Sequence, residues 1–252
     1  MRATDFVTEI ERIHKNDFTG GKEFLKGGHL RTIRKNARKP LPGGSGFQYG
    51  VRKRNGRDDL DIRMYDKSGV EPIGSLLLSN ESYSFPIKNS YSVDIITVDE
   101  DYRNQGIAKS LYGIALTILK LTLLAGSSQT PGGRKNWMSL ANIPGVEIKG
   151  YVMVPDYKIK TDWEIDKHRP DEFDIGRINR MNTRGEERIN VLMGKLGGQY
   201  MGSYKDEFYF AFDVMPGTGE LKPAVKTELS KLYHDEYDMD FITGLYAQWT
   251  GS

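Results

Sequence analysis

The stretch of sequence that most limits the fold is residues 91–125. Tyr91–Val98 (YSVDIITV) is rich in β-branched residues and predicts a strand. A polar turn follows, and residues 107–125 are almost entirely apolar. We divide this apolar run near Lys120 into a helix and a short strand, Leu121–Ala125. Strands followed by a strand, a loop and a crossover helix predict a mixed α/β sheet.

Further strands are predicted before this run. Phe47–Lys53 alternates in part, and Leu60–Tyr65 (LDIRMY) alternates apolar and charged residues, as a half-buried strand does. Asp66–Gly69 predicts a turn and Val70–Leu78 a strand, so these segments form a hairpin. Leu41–Gly46 predicts a linker into the first strand.

Elements are also predicted towards both ends of the chain. Thr4–Lys15 has the apolar spacing of a short helix. The downstream elements are a short helix at Arg134–Ala141, a strand at Val146–Val154, an amphipathic helix at Glu186–Leu196, a hairpin of Gln199–Tyr204 and Glu207–Val214, a helix opened by Pro223, and a helical or extended segment at Phe241–Trp249. The alternating aromatic residues of the hairpin are typical of a packed sheet, with base stacking as the alternative.

Composition excludes several classes of site. The 252 residues contain no Cys, which rules out a disulfide framework, thiol catalysis and Cys-ligated metals, and four scattered His do not favour a His-rich metal site. The longest apolar stretch, Leu111–Ala125, contains Lys120 and is shorter than the roughly 20 residues of a membrane span. The first residues, MRATDFVTEIERIH, contain no apolar segment typical of a secretory signal. We therefore expect an intracellular, cytoplasmic protein.

The charges are unevenly distributed along the chain. Lys22–Arg57 contains eleven Lys and Arg against one acid, Glu23, whereas the segment from Lys205 onwards is acidic. A basic arm of this kind can meet phosphates of nucleic acid or of a cofactor. The alternatives are a solvated face, or an arm that packs on the acidic tail of the same or another copy.

Residues 98–108, VDEDYRNQGIA, carry the clearest chemical signal. Gly106 lets the backbone approach a ligand closely, and Ala108 keeps the same face small. A helix that begins near Gly106 directs its free N–H groups towards the turn, where they suit phosphate oxygens. Arg103 adds a charged donor for a diphosphate. An ordinary glycine-containing turn between a strand and a helix is the alternative.

This segment closely resembles motif A of the GNAT N-acetyltransferases. In that motif Arg or Gln, two residues, Gly, any residue, then Gly or Ala hold the pyrophosphate of acetyl-CoA. The matching residues are Arg103, Asn104, Gln105, Gly106, Ile107 and Ala108, flanked by Val98, Tyr102, Leu111 and Tyr112. The resemblance covers about residues 1–155 and implies a central mixed β-sheet flanked by helices. We expect a helix and basic arm at 1–46, the GNAT-like core at 47–155 and an extension at 156–252, in which 186–214 are candidates to complete the sheet.

The resemblance implies acetyl-CoA as the cofactor. Its pantetheine arm would pair with the backbone of the strand near Ile96, Thr97 and Val98. Its diphosphate would lie on the amides from Asn104 to Lys109. An acceptor amine of unknown identity would attack the thioester directly.

The resemblance also implies a base and an acid. Asp94 is the candidate base, because its place among Val93, Ile95 and Ile96 is costly unless the carboxylate is paired or used. A structural or solvent-facing Asp is the alternative, and Glu81 and Tyr91 are weaker candidates for the base.

The usual acid is a Tyr on a following helix. One placement of that helix, Ser128–Leu140, puts Trp137 at the Tyr position, and the other, Glu186–Gly198, puts Met193 there. We favour the first placement. Neither side chain can give a proton to a thiolate. The possible substitutes are Ser127, Ser128 and Tyr112.

Three functions follow from these observations. The first is an acetyl-CoA-dependent N-acetyltransferase. The second is a catalytically silent GNAT-like binding or structural protein, for example a component of a bacteriophage particle. The third is a nucleic-acid-binding protein that uses residues 22–57. Self-association through the oppositely charged ends is compatible with each of them.

Overall fold

The structure is a computed structural model that describes residues 38–43, 45–54, 58–82, 84–125, 131–155, 190–204, 207–233 and 243–251. Within these ranges ten strands form a mixed β-sheet flanked by helices. The predicted fold class is therefore confirmed. The predicted helix at Thr4–Lys15, most of the basic arm and residues 156–189 lie outside the described residues. The predicted division into 1–46, 47–155 and 156–252 stays a prediction.

The strands agree closely with those predicted from the sequence. In chain order they are β1 Lys39–Pro40, β2 Gln48–Lys53, β3 Leu60–Tyr65, β4 Pro72–Asn80, β5 Ser90–Val98, β6 Thr122–Leu124, β7 Val146–Pro155, β8 Gln199–Tyr204, β9 Glu207–Asp213 and β10 Thr243–Trp249. The sheet order is β1-β2-β3-β4-β5-β6-β10-β7-β9-β8. β5 and β6 pair in parallel, which the helix between them makes possible.

Three α-helices accompany the strands in the described part of the chain. They are α1 Ile107–Gly113, α2 Pro131–Leu140 and α3 Pro223–Tyr233. α1 runs on into a π-helical turn at Ile114–Ile118, a second π-helical turn lies at Val191–Lys195, and a 3-10 turn lies at Glu100–Tyr102. No helix among the described residues has both the length and the apolar character needed to cross a membrane.

Spatial contacts between residues divide the chain into two compact units. The first comprises Met1–Leu78 with Asp94–Tyr112, and the second comprises Ser79–Val93 with Gly113–Ser252. β4 and β5 contribute residues to both units.

In the first unit each strand from β1 to β3 pairs antiparallel with the next strand in the sequence. The predicted linker Leu41–Gly46 is wrong in one respect, because Lys39–Pro40 is already a strand and the segment connects β1 to β2. Its ends meet where the Leu41 amide donates to the Phe47 carbonyl at 2.9 Å. Pro40 is tolerated there because β1 lies at the edge of the sheet.

The description of β3 as a half-buried strand is also wrong. All six of its residues are buried, including the charged Asp61 and Arg63. β3 lies between β2 and β4, and its two charged side chains contact each other, with Arg63 Nη2 3.0 Å from Asp61 Oδ2. The charged positions of LDIRMY therefore mark a second buried face and not a solvated one.

The second unit has apolar residues on both faces of β9. Phe208, Phe210 and Phe212 belong to one cluster of buried side chains, and Tyr209 and Ala211 belong to another. The packed-sheet interpretation of these aromatic residues is therefore confirmed.

The last strand of the second unit lies in the middle of the sheet. β10 pairs antiparallel with both β6 and β7, which are adjacent strands in the sequence. The extended alternative for Phe241–Trp249 is therefore correct for residues 243–249.

Candidate functional site

The turn that follows β5, residues 99–106, which we call the motif turn, is held by one backbone hydrogen bond to β4 and by a side-chain cap. The amide of Asp99 donates to the carbonyl of Ile73 on β4 at 2.9 Å. The Asp99 carboxylate then accepts from the amide of Asp101 at 3.1 Å and caps the short 3-10 turn. The chain therefore leaves the sheet in a defined direction before it reaches Arg103.

Two residues of the turn adopt the left-handed backbone conformation. Asn104 has φ +62° and Gly106 has φ +77°. Both residue types enter this region at low cost, which explains their presence here. Among the residues that the structure describes, no atom beyond the immediate chain neighbours of Gly106 lies within 4 Å of the position that a Cβ on this residue would occupy. The backbone at Gly106 is therefore open to an approaching ligand.

The helix that follows begins with amides that have no intrahelical acceptor. The amide of Ser110 donates to the carbonyl of Gly106 at 2.9 Å, which is the first hydrogen bond of the helical ladder. The amides of Ile107, Ala108 and Lys109 come before that bond and therefore lie at the positive end of the helix. Residues 103–106 are exposed, so these donors lie beside an accessible turn.

Ile107 anchors the start of α1 to the sheet. Its side chain is buried, and a Cβ added at Gly74 would lie 2.8 Å from Ile107 Cγ2 and 3.2 Å from Leu111 Cδ1. Gly74 on β4 therefore allows α1 to approach the sheet closely. The motif combines an exposed turn with a firmly packed helix.

Tyr102 connects the motif turn to the β3–β4 hairpin. Its hydroxyl donates to Asp66 Oδ2 at 3.0 Å, while Asp66 Oδ1 accepts from the Gly69 amide at 3.0 Å. The hydrogen bond from Ser68 is the main reason why the pKa of Asp66 lies below its usual value. The hydrogen bond to Asp66 is the main reason why the pKa of Tyr102 lies above its usual value.

The charged donor of the motif, Arg103, is exposed and contacts Glu100. Its Nη2 lies 3.4 Å from Glu100 Oε1, and both side chains are more than half exposed. An exposed pair of this kind is weak. Arg103 can therefore turn to another anion at low cost.

The second half of β5 extends beyond its parallel neighbour. β6 has three residues, which pair with Ser90, Tyr91 and Ser92, and Val93–Val98 continue past its end. Ile96 and Val98 are partly buried there. Thr97 is buried, and its Oγ1 has no hydrogen-bond partner among the residues that the structure describes. A buried hydroxyl without a partner is costly, so a donor or acceptor supplied by a ligand would stabilise this position.

Asp94 lies on the same part of β5, and its surroundings differ from those expected. It is exposed rather than buried in an apolar strand, so the predicted burial cost is wrong. Its Oδ2 lies 3.6 Å from Arg54 Nη1. This agrees with the alternative of a solvent-facing Asp, and an accessible carboxylate is compatible with a role as a base.

The weaker base candidates lie in the second unit. Glu81 is partly buried and accepts hydrogen bonds from the hydroxyls of Ser92 and Ser84. Tyr91 is buried.

The candidate acids differ in exposure. Trp137 on α2 is 2% exposed and acts as a core anchor, whereas Met193 is 40% exposed. Tyr112 is buried in α1, and that burial raises its pKa. Ser127 and Ser128 lie outside the described residues. Within the described ranges there is no group of three or more His, Asp and Glu arranged to hold a metal ion.

Two features of this region were not predicted from the sequence. One is Asp66, whose contact with Tyr102 joins two turns that are far apart in the sequence. The other is the unpartnered hydroxyl of Thr97. A turn-forming DKSG sequence is the local signal for Asp66, but nothing in it indicates the distant tyrosine.

Comparisons with known proteins find matches among the solved structures. No protein-family model matches the sequence, and no curated protein matches it. A solved structure of a tandem GNAT protein from the clavulanic acid biosynthesis pathway, without AcCoA, is similar at 13% identity and a TM-score of 0.28. That similarity covers 77% of this chain and 83% of the other.

Proposed function

We propose that this protein is an acetyl-CoA-dependent N-acetyltransferase. The observation that carries the proposal is the set of amides at Ile107, Ala108 and Lys109, which precede the first intrahelical hydrogen bond beside an exposed turn. Such amides and the positive end of the helix favour the oxygens of a diphosphate. The resemblance of residues 98–108 to motif A indicates the diphosphate of acetyl-CoA in particular.

The residues around the turn fit that group. The open space beside Gly106 allows phosphate oxygens to approach the backbone, and Arg103 supplies a charged donor. On β5 the unpartnered Thr97 Oγ1 lies in the part of the strand that extends past β6. Ile96, Thr97 and Val98 are therefore proposed to accompany the pantetheine arm.

The bound cofactor would supply an acetyl group activated as a thioester. The chain would position the acceptor amine and remove its proton. Asp94 is the proposed proton acceptor, because it is exposed on β5 and can act directly or through water. Arg54 would orient its carboxylate. The proposal assigns no acid, because Trp137 and Met193 cannot donate a proton to a thiolate and Tyr112 is buried.

A thermal-shift titration with acetyl-CoA tests the cofactor site. A ligand that binds the folded state raises the melting temperature with dose. We expect a dose-dependent shift in the native chain and its loss when Arg103→Glu is combined with Gly106→Asp. Lys222→Glu, which reverses one positive charge as Arg103→Glu does but at an exposed lysine near α3, is the control and should keep the shift. A shift that survives the double substitution would contradict the proposed site.

A catalytically silent binding protein is the second candidate. The observation that favours it is Trp137, which is buried as a core anchor where the resemblance leads one to expect the acid. Release of free thiol from acetyl-CoA, measured with a panel of amines and proteins, separates the two candidates. If the protein is an enzyme, free thiol is released only when an amine is present and Asp94 is intact. If it is a silent protein, acetyl-CoA produces the thermal shift without thiol release.

The structure gives less support to nucleic-acid binding. Within the described part of the basic segment, Arg52, Lys53 and Arg54 contact Asp61, Asp58 and Asp94 respectively. Binding of DNA or RNA with a steep salt dependence would be needed to support this function.

A further inference from the structure

Glu81, which directly follows β4, is a partly buried carboxylate without a positively charged partner in the described part of the chain. The Ser92 hydroxyl donates to its Oε1 at 3.2 Å, and the Ser84 hydroxyl donates to its Oε2. Both donors are neutral, and an ionised carboxylate can accept about four hydrogen bonds. These contacts therefore leave the charge of Glu81 and part of its acceptor capacity unmatched, which is costly for a partly buried group.

The backbone around Glu81 fixes the position of its side chain. Its amide donates to the Ser90 carbonyl at 2.8 Å, and its own carbonyl accepts from the amides of Ser84 and Phe85, each at 2.9 Å. The carboxylate is therefore held in place before any ligand arrives, which lowers the entropic cost of binding.

The same turn carries Phe85, which joins Glu81 to a group of aromatic side chains. The Phe85 ring packs edge-on against Tyr151 of β7 and Tyr209 of β9, with ring centres 5.0 and 5.3 Å apart. Ile87 and Met153 are partly buried and pack against this group. The carboxylate is therefore followed by a turn that packs on aromatic and aliphatic side chains.

Tyr151 is the aromatic residue that responds to the charge of Glu81. Burial raises the pKa of Tyr151 above its usual value, and the negative charge of Glu81 raises it further. A Cβ placed on Gly244 of β10 would lie 2.5 Å from Tyr151 Cε1 and from the Tyr151 hydroxyl oxygen. The side chain of Tyr151 therefore lies across Gly244, held by close packing and within the field of the carboxylate.

Glu81 and Tyr151 are both accessible from solvent. Each residue is partly buried, and Ser84, which donates to the carboxylate, is exposed. A small molecule can therefore reach the carboxylate and the tyrosine without opening the core.

We propose that Glu81 and Tyr151 form a binding site for an organic ammonium ion, the protonated amino group of a small molecule. The N–H groups of the ammonium would donate to the Glu81 carboxylate, because charged donors form the stronger hydrogen bonds with a carboxylate. The Tyr151 ring would lie beside the cation, which aromatic rings attract. Ile87 and Met153 would contact the carbon chain of the ligand.

A metal ion suits this site less well than an organic cation. Hard divalent cations bind through several oxygen ligands. The described ranges contain no group of three or more His, Asp and Glu arranged to hold a metal ion. The inference concerns binding of an amine and does not depend on the proposed acetyl transfer.

A thermal-shift titration of the full chain tests this site. The probe is n-butylammonium chloride, which replaces sodium chloride at constant ionic strength and pH. n-Butanol is the neutral control with the same carbon chain. We expect a saturable rise in melting temperature with butylammonium and none with butanol. No rise with butylammonium, or an equal rise with butanol, would overturn the proposal.

A change of one carboxylate tests the role of Glu81. Glu81→Gln keeps the size of the side chain and removes its charge, so butylammonium binding should weaken at least about tenfold. Glu147→Gln is the matched control, because Glu147 lies on the same strand as Tyr151 but has Lys149 Nζ 3.3 Å from its Oε1. Loss of the rise in Glu147→Gln with retention in Glu81→Gln would place the amine elsewhere and overturn the proposal.

Tyr151→Leu tests the site without changing a charge. Removal of the ring should weaken butylammonium binding about two- to fivefold, whereas Tyr151→Phe keeps the ring and should bind as the native chain does. Equal affinities of the native chain and Tyr151→Leu would overturn the site as proposed. Because acetyl-CoA binding is measured without an amine, failure of this site leaves the proposed function intact.

Discussion

The hydroxyl of Tyr102 donates a hydrogen bond to Asp66 across two turns of the first unit, with the two oxygens 3.0 Å apart. Tyr102 directly precedes Arg103, and Asp66 begins the turn between β3 and β4. The contact therefore links the direction of the motif turn to a rigid hairpin. The hairpin turn is itself closed by the Gly69 amide, which donates to both the carbonyl and the carboxylate of Asp66.

Tyr102→Phe should weaken acetyl-CoA binding without unfolding the protein. The substitution keeps the ring and removes one hydrogen bond to a charged acceptor, so we expect affinity to fall about two- to tenfold. Isothermal titration of the native and variant chains measures the change. Tyr200→Phe, in the second unit, is the control and should bind acetyl-CoA as the native chain does. Equal affinities of the native chain, Tyr102→Phe and Tyr200→Phe would show that the contact with Asp66 does not position the turn.

The Tyr102–Asp66 contact should also limit the pH range over which the folded protein is most stable. The pKa of Asp66 is lowered in the folded state, so its contribution to stability is present above its unfolded value of about 3.8 and is lost as pH falls through the folded value. The pKa of Tyr102 is raised, so its contribution is present below about 10 and is lost as pH rises through the folded value. Urea unfolding as a function of pH should therefore show that Asp66→Asn costs stability near pH 7 and costs less below pH 3.8. A constant difference between native and variant across that range would contradict the assignment.

Glu100→Gln should strengthen cofactor binding. Glu100 contacts Arg103 at 3.4 Å and competes with any bound phosphate for that guanidinium. Because exposed pairs are weak, the gain should be at most about fivefold in affinity. Glu220→Gln breaks an exposed pair with Lys226, whose atoms lie 3.0 Å apart, and serves as a matched control without an effect on binding. Weaker binding in Glu100→Gln would show that Arg103 does not face the ligand.

Replacing either of two glycines near the motif by alanine should destabilise the protein, for different reasons. Gly74→Ala places a methyl group 2.8 Å from Ile107 Cγ2 and should cost about 1–3 kcal/mol of stability through overpacking. Gly106→Ala meets no described atom beyond its chain neighbours within 4 Å, but it forces alanine to φ +77° and should cost about 1–2 kcal/mol. Urea unfolding measures both. A Gly106→Ala variant as stable as the native chain would show that the turn relaxes to another conformation.

The local parts of the fold could be predicted from the sequence. Gly and Asn adopt left-handed backbone readily, so the motif turn was recognisable from RNQG alone. The predicted break near Lys120 is confirmed, since that residue has φ +55° and the helix ends before it. Features of this kind depend on residues that are adjacent in the chain.

The remaining features depend on contacts between distant residues. LDIRMY has the alternation of a half-buried strand, and its burial on both faces follows from contacts such as Arg52 with Asp61. Likewise, the exposure of Asp94 and its contact with Arg54 could not be read from the apolar residues around it. A hydrophobic pattern records the preference of each side chain, but it does not record which strand lies next to which.

The position of β10 has a consequence for biosynthesis. β6 and β7 are made early, yet the strand that pairs with both of them ends at Trp249. During translation each of these strands has an unsatisfied edge until residue 249 has left the ribosome, and such edges invite association with other chains. Ribosome-stalled chains that hold residues 243–249 inside the exit tunnel should therefore be much more sensitive to protease, or more dependent on chaperones, than chains stalled on an added C-terminal linker that brings residue 249 out of the ribosome.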